Sequence, residues 1–352
     1  MNNETTSEDI PNRFVTIIPI LRTKDELPCY MISKRINKNK MMYEFYQTPG
    51  GHIKKNEDPI RAAIREFQEE TGITIYRNQL KKVYTQQYEK VRDTQKSGEC
   101  IIYEVDIMEL ENKKFMNNEP EEMDDWQLRE ITQLITQEVI DSLKWHIAQE
   151  IDNLTKDWQI NIIEGPIGVG KSTLIKNLNK QGKYHVIPEV AISEKIKPKL
   201  QEFYERKITQ TEFQNIVEMA YLEELVDLLT NYVKDKPIIM DRTQTATEIF
   251  SRINGIDDTT IEQIKRYRCY WEKVTWKANI FYIECPKLLM TYNIFRRNRN
   301  AEKKMNYGYA WKIHENYYTQ FLESYKYCFK NPQILRNNIP FYYKGLIKQF
   351  TQ

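Results

Sequence analysis

What the chain has little of narrows its class before any motif is found. Its 352 residues include only 11 glycines and five cysteines, and no apolar stretch nears the roughly 20 residues that a membrane-spanning helix requires. The cysteines (Cys29, Cys100, Cys269, Cys285 and Cys328) are scattered, odd in number and nowhere spaced CxxC, which argues against a disulfide framework and against a zinc site. Neither sign of charge dominates: Lys+Arg 52 against Asp+Glu 50 leaves a formal charge of +2, unlike the basic surface of a general nucleic-acid binder. The opening MNNETTSEDIPNR lacks the basic and apolar regions of a secretory signal. These absences lead us to expect a cytoplasmic protein that handles small anionic ligands, with neither a nucleic-acid nor a membrane partner.

Length favours two domains over a single core. The apolar runs FVTIIPI (14–20) and PCYMIS (28–33), separated by the charged turn RTKDEL, predict adjacent strands, and further strands are expected near 81–88 and 100–106. Ile60, Ala63, Ile64 and Phe67 recur at helical spacing until Gly72 stops the pattern. One long amphipathic helix is predicted over about 131–153 from Ile131, Leu134, Ile135, Val139, Ile140, Leu143, Ile147 and Ile151. Strand-like runs at 159–164, 184–187, 237–240 and 280–284, with helical stretches between them, then predict a parallel sheet flanked by helices. No Gly/Ser-rich or Pro-rich linker separates the halves. The expected division is a flexible N-terminus over 1–13, a first domain over 14–153 and a second over 154–352.

Residues 51–73 read GHIKKNEDPIRAAIREFQEETGI. Glu66 and Glu70 stand one helical turn apart with Glu69 beside them, so three carboxylates share one edge and repel one another unless cations sit among them. Hard divalent ions prefer such oxygens and bridge to phosphate, which points to a pyrophosphate-hydrolysing metal site. The segment resembles the complete signature of the Nudix hydrolases at every fixed position. That resemblance, over about 14–150, implies an α/β/α sandwich with a mixed sheet. It also implies metal ligands at Glu66, Glu69 and Glu70 for magnesium, or manganese in its place, with Glu69 and Arg65 as catalytic residues and an electrostatic role for Glu57. In EPEEMDDW (119–126), Glu121 or Glu122 is a candidate additional base.

Residues 165–172, GPIGVGKS, follow a strand and open a helix, the setting in which backbone N–H groups cradle phosphates. Gly165, Pro166, Ile167, Gly168, Val169, Gly170, Lys171, Ser172 and Thr173 are the expected ATP-binding loop, with Lys171 on the β- and γ-phosphates and Ser172 on magnesium. The form IIEGPIGVGKSTL, the acid in VIPEVA, Tyr204 ahead of Phe213-Gln214, the run IIMDRT and the Arg-rich RRNRNAE together resemble the deoxynucleoside kinases of the thymidine and deoxycytidine kinase-like group, over about 158–330. The resemblance implies a parallel five-stranded sheet flanked by helices. It makes Glu189 the general base, Asp241 a helper for magnesium and Arg242 a catalytic contact to the 5′ oxygen or the phosphoryl group. Tyr204 and Glu302 would then hold the sugar, Gln214 the base, and Arg297 and Arg299 the transferred phosphoryl, with a homodimer formed through this domain. Two departures, no Pro after Glu189 and Asp in place of the commoner Glu before Arg242, bear on substrate range.

The expected function is bifunctional: metal-dependent hydrolysis of a nucleoside triphosphate to monophosphate and pyrophosphate, and ATP-dependent 5′-phosphorylation of a deoxynucleoside, as in nucleotide salvage. Three alternatives stand beside it. The second domain is a thymidylate-like nucleoside-monophosphate kinase; one domain is a non-catalytic nucleotide sensor; or the first acts on RNA caps or nucleotide sugars. Carboxylates at Glu189 and Glu302 favour an uncharged acceptor, because they repel one that already bears phosphate.

Overall fold

The run NRFVTIIPIL is apolar on both of its faces, and it forms β1 (Asn12–Leu21), buried from Val15 through Ile20 at the centre of the first sheet. The structure is a computed structural model that describes residues 12–88, 97–111, 114–232, 234–297, 307–326, 331–337 and 343–351. It divides into two compact units, Met1–Glu150 and Ile151–Gln352. Of the stretch expected to be a flexible N-terminus, 1–11 lie outside the described residues, while Asn12 and Arg13 already belong to β1.

The first unit continues with β2 (Cys29–Lys34), β3 (Tyr46–Gln47), β4 (Gly50–His52), α1 (Pro59–Thr71), β5 (Lys81–Tyr88), β6 (Gly98–Asp106), β7 (Gln127–Glu130), α2 (Ile131–Ile135) and α3 (Asp141–Thr155), whose last turn crosses into the second unit. Its mixed sheet has the order β3-β2-β1-β6-β5, with β4 also on β1 and β7 on β2. Among the described strands only β1 and β6 pair in parallel. Val15 and Ile17 point to one face, where Ala62, Ala63 and Phe67 of α1 cover them. On the other face, Ser142 of α3 donates to Thr16 at 3.4 Å and His146 of α3 meets the Tyr30 hydroxyl at 3.3 Å. Helices therefore lie on both faces of the sheet. Phe67 is fully buried, and its truncation to Ala is worth about 3–5 kcal/mol.

The helix predicted over 131–153 is two helices. Between them the main chain turns to the sheet: Tyr46 N–H donates to Glu138 O at 2.9 Å and Ile140 N–H donates to Tyr46 O at 3.0 Å. Backbone pairing has displaced one helical turn that the side-chain pattern alone would continue. Behind α3 lies a charged knot. Arg22 reaches Glu104 at 2.7 Å and Glu150 at 2.6 Å, and His146 Nε2 lies 3.0 Å from Glu104. Both carboxylates and the imidazole are buried, so the guanidinium is what lets two acids share that space.

The second unit is built from β8 (Ile160–Glu164), α4 (Lys171–Asn179), β9 (His185–Ile187), α5 (Lys197–Tyr204), α6 (Gln210–Asn231), β10 (Ile238–Asp241), α7 (Thr245–Ile253), α8 (Asp258–Ile264), α9 (Arg268–Thr275), β11 (Asn279–Glu284), α10 (Lys287–Arg297), α11 (Tyr307–Ser324), β12 (Gln333–Arg336) and α12 (Tyr343–Thr351). All five strands are parallel in the order β12-β11-β8-β10-β9. β12 is the strand that sequence periodicity missed: it is short, and three of its four residues are exposed. One face of the sheet packs Ile163, Ile239 and Ile283 against Leu174, Met290 and Leu346 of the covering helices. On the other, Tyr282 lies 5.0 Å from the ring of Phe321 in α11. Among the described residues no helix is long and apolar enough to cross a membrane.

Candidate active sites

In the first unit the site is a loop, a helix and a second loop. Asp58 caps α1 by accepting from Ile60 N–H at 3.3 Å, Pro59 sits at its first turn, and Gly72 ends it with φ 72°. The cap sets the helix phase that turns Arg65, Glu66, Glu69 and Glu70 toward β4. A Cβ on Gly51 would stand 2.5 Å from the Glu66 carboxylate, so this glycine is the space the carboxylate occupies. The segment after β6 closes the helix end: Asn118 donates to Glu69 O at 2.9 Å and Met116 N–H to Thr71 O at 2.9 Å.

Arg65 gathers the acids. It donates to both Glu57 oxygens at 2.9 Å, to Glu66 at 2.6 Å and to Glu69 at 3.1 Å. This guanidinium is what holds the Glu57 carboxyl down at about 2. Glu70 is different: Oε1 accepts the Gly50 N–H at 3.3 Å, and Oε2 is buried without a partner. Burial, with Glu119 and Glu66 adding repulsion, pushes this carboxyl up to about 8. A buried, unpartnered carboxylate oxygen beside further acids, all of them hard oxygen donors, fits a divalent cation. In the acidic segment that follows, Glu122 is taken up by Asn37 at 3.1 Å and Lys40 at 3.6 Å. Glu119, and not Glu121 or Glu122, is thus the acid of that run whose charge reaches Glu70.

In the second unit the Gly-rich turn joins β8 to α4. Gly165, Gly168 and Gly170 take φ of 138°, 85° and 110°, conformations that a side chain disfavours. A Cβ on Gly168 would also meet Met290 O at 2.9 Å. Lys171 is buried, with Nζ donating to Gly165 O at 3.0 Å and Pro166 O at 2.9 Å. Ser172 donates to Asp241 Oδ2 at 3.2 Å, while Asp241 Oδ1 is buried without a partner. Ser172 and this free oxygen again make an all-oxygen donor set that fits a divalent cation. Burial lowers the Lys171 ammonium and raises the Asp241 carboxyl.

Arg242 follows β10 with φ 68°, a left-handed conformation that costs a non-glycine residue about 1–3 kcal/mol. Its side chain is fixed on every edge: Nη2 donates to Gly165 O at 2.9 Å, Nε to the Tyr317 hydroxyl at 3.2 Å, and Nη1 to Glu189. The Phe250 ring stacks 5.2 Å from its Cζ. Glu189 itself is mostly buried at the edge of a cavity of about 440 Å³. The same cavity is lined by Lys171 and Ser172 and by Tyr204, Phe213 and Gln214. α6 carries Gln214 in its second turn, fixed by a reciprocal cap between Thr209 and Glu212. Gln214 is 4 % exposed, and among the described residues its amide has no hydrogen-bond partner. A buried amide left open to a cavity offers one donor edge and one acceptor edge to a ligand.

Of the residues expected from sequence, the structure thus brings Lys171, Ser172, Glu189, Tyr204, Gln214 and Arg242 around one cavity, with Asp241 held against Ser172. Arg299 and Glu302 lie outside the described residues, as does the side chain of Arg297. Sequence reasoning missed Glu164, buried directly beneath the loop, and its partners Tyr317 and Tyr325. The acid stood in view in the run before Gly165. What binds it comes from α11 and the residue after it, too distant in sequence for any local pattern to connect.

Comparison with known proteins agrees with this division. The family model described as NUDIX domain matches residues 11–151, and the one described as deoxynucleoside kinase matches 162–338. Deoxyguanosine kinase of Bacillus subtilis (strain 168) is 28% identical over 161 residues, 44% of this chain and 74% of that protein. Among solved structures, deoxyadenosine kinase from M. mycoides with bound dCTP is 21% identical with a TM-score of 0.43, covering 55% of this chain and 97% of its own. The MutT NUDIX hydrolase from Burkholderia pseudomallei is 16% identical with a TM-score of 0.33, covering 40% and 98%. Hydrolase and kinase thus sit in one polypeptide, and the chain belongs to the deoxynucleoside kinase family, carrying a NUDIX domain ahead of its kinase domain.

Proposed function

We propose that the second unit transfers the γ-phosphoryl group of ATP to the 5′-hydroxyl of a deoxynucleoside, and that the first hydrolyses a nucleoside triphosphate to its monophosphate and pyrophosphate. The observation that carries the kinase reading is one cavity lined together by the phosphate loop, by Glu189 and by the Gln214 amide, which has no partner among the described residues. Gln214 meets the base and Tyr204 the sugar. With base and sugar so held, the 5′-oxygen meets Glu189, which takes the hydroxyl proton as the oxygen bonds to phosphorus and the bridging oxygen leaves with ADP. Arg242 stabilises charge on the transferred group. Lys171 and the loop N–H groups hold the donor phosphates. A nucleoside, bearing no phosphate, is the acceptor that a carboxylate at this position admits without repulsion. Arg297, Arg299 and Glu302 complete the site in this reading, and the homodimer forms through this unit.

In the first unit Glu66, Glu69 and Glu70 would hold magnesium or manganese, which supplies charge neutralisation and an activated water when bound. Arg65 fixes Glu57, Glu66 and Glu69 in one cluster, and Glu70 keeps its Oε2 without a partner among the described residues. In the second unit Ser172 and Asp241 take the corresponding part. Both reactions yield a nucleoside monophosphate, one from a triphosphate and one from a nucleoside, so the fused pair serves a single product pool.

A product assay tests both halves at once. The purified chain with magnesium receives each deoxynucleoside triphosphate alone and, separately, each deoxynucleoside with ATP, alongside Glu69→Gln and Lys171→Ala. Monophosphate from both series, lost in one variant each, is the expected result. Phosphorylation of monophosphates and not of nucleosides would overturn the kinase half of the proposal.

A further inference from the structure

Tyr317 of α11 and Tyr325, the residue that follows this helix, converge on one carboxylate beneath the phosphate loop. Glu164, the last residue of β8, is fully buried. Its Oε1 accepts the Tyr325 hydroxyl at 2.8 Å, and its Oε2 accepts the Tyr317 hydroxyl at 2.9 Å and Gly165 N–H at 3.3 Å. A phenol has one hydrogen. Once Tyr317 has given it to Glu164, only lone pairs remain on its oxygen, and they face Arg242, whose Nε donates to that oxygen at 3.2 Å. The remaining edges of the guanidinium are held by Gly165 O at 2.9 Å and by Glu189. Tyr325 in turn meets the Thr243 hydroxyl, next in chain to Arg242. One carboxylate therefore sets the hydrogen-bond direction of two phenols, and these reach successive residues at the end of β10.

We propose that Glu164 is a positioning residue for phosphoryl transfer: by fixing Tyr317 as an acceptor, it orients Arg242 against Glu189. The proposal rests on the reading of Glu189 as the proton acceptor. Glu164 does not line the cavity, so it acts through Tyr317 and not on substrate. The charged groups facing Glu164 are Arg242 and Lys171; Glu189 is felt by Arg242, Lys171, Asp241 and the Tyr221 phenol. In Glu164→Gln the amide offers a donor where an acceptor stood. The phenol that accepts from it turns its own hydrogen the other way, Tyr317 toward Arg242, where two donors then oppose each other, or Tyr325 toward the Thr243 hydroxyl beside it.

The test is steady-state kinetics of the full chain with ATP and its preferred deoxynucleoside, over a range of pH, for Glu164→Gln, Tyr317→Phe, the double variant and Glu189→Gln. Glu164→Gln and Tyr317→Phe are each expected to lower kcat about 10- to 100-fold while both KM values stay within about twofold. The acid limb of kcat is expected to move up by about half a pH unit or more, since Glu189 loses a well-placed cation. The double variant should lose no more than the worse single one. A rise in either KM with kcat intact, losses that multiply in the double variant, or an unmoved acid limb would each overturn the proposal. Where Glu164→Gln does not fold, Tyr317→Phe decides alone by the same acid limb. Full activity in Glu189→Gln would instead bring down the reading of Glu189, whatever Glu164 does.

Discussion

The two candidate sites solve one problem, gathering acids and cations around phosphate, in opposite ways. In the first unit, among the described residues, Arg65 is the one cation paired directly with Glu57, Glu66 and Glu69, the Lys54 and Arg35 side chains act on Glu57 and Glu70 through charge alone, and Glu69 is 54 % exposed. In the second, Glu164, Glu189 and Asp241 are balanced by Lys171 and Arg242, and both cations are at most 5 % exposed. Each site keeps one buried carboxylate oxygen without a partner, Glu70 Oε2 and Asp241 Oδ1. On the proposed reading, the first site would leave most of its neutralisation to ions from solvent, whereas the second builds most of it from side chains. Activity in the first unit should therefore depend more steeply on divalent ion concentration.

The sharpest way to break this comparison is to remove one charge from each side. Lys171→Ala is expected to cut kinase turnover by about 10³-fold and leave triphosphate hydrolysis unchanged, and Glu69→Gln to do the reverse by about 10²- to 10³-fold, both read as monophosphate formed. If either variant silenced both reactions, the units would not be separable catalysts. Next in size is a structural charge in the first unit. Arg22→Met leaves Glu104 and Glu150 facing each other, and about 2 kcal/mol of stability should disappear from that unit in denaturant titration, while kinase kinetics stay put.

A smaller effect tests how closely the first site is fitted. Gly51→Ala places a methyl group against the Glu66 carboxylate, the flexible end of a side chain. Hydrolysis should fall about 10-fold while thermal stability barely moves, because the carboxylate can yield but its position cannot be kept. Smallest is a pH effect in the second unit. Glu218 is fully buried, accepts from Gln244 and Thr247, and is pushed by burial up to about 8. A carboxyl raised on folding makes the folded state the better proton binder. Its contribution is complete below the ordinary carboxylate range and is lost as pH rises through about 8. Between pH 5 and 8.5 the melting temperature of the parent should fall by about 3–6 °C more than that of Glu218→Gln; parallel curves would remove Glu218 as the cause.

How much of this was legible in sequence followed the same divide. The first site is one helix and its flanking turns, so the spacing of Glu66, Glu69 and Glu70 already encodes their meeting. The loop at 165–172 and the acids at Glu189 and Asp241 were equally visible, because each stands at a strand end that a local apolar run reveals. The support behind Arg242 was not: Tyr317 and Tyr325 come from a helix far along the chain and the residue just past its end, and nothing in their neighbourhood marks them. The break at 136–140 was hidden for a related reason, since Tyr46 claims those backbone groups from a distant strand. Sequence patterns report what a segment does with its own neighbours. They are silent where a distant segment makes the better offer.

The order of strands in the second unit has a consequence for how the chain matures. β8 is the first of its strands to be made and lies at the centre of the sheet, where Ile160 pairs with Ile238 and Asn161 with Asn279. β12, made last, pairs only with β11. The strand carrying Glu164 must therefore wait, unpaired and apolar, for partners that leave the ribosome much later, whereas β1 through α3 of the first unit can close among themselves. Such long-range pairing makes folding slow. The kinase half is the part of a nascent chain that would most need shielding from aggregation, and a ribosome that stalls before β11 would release a finished hydrolase attached to an unfinished kinase.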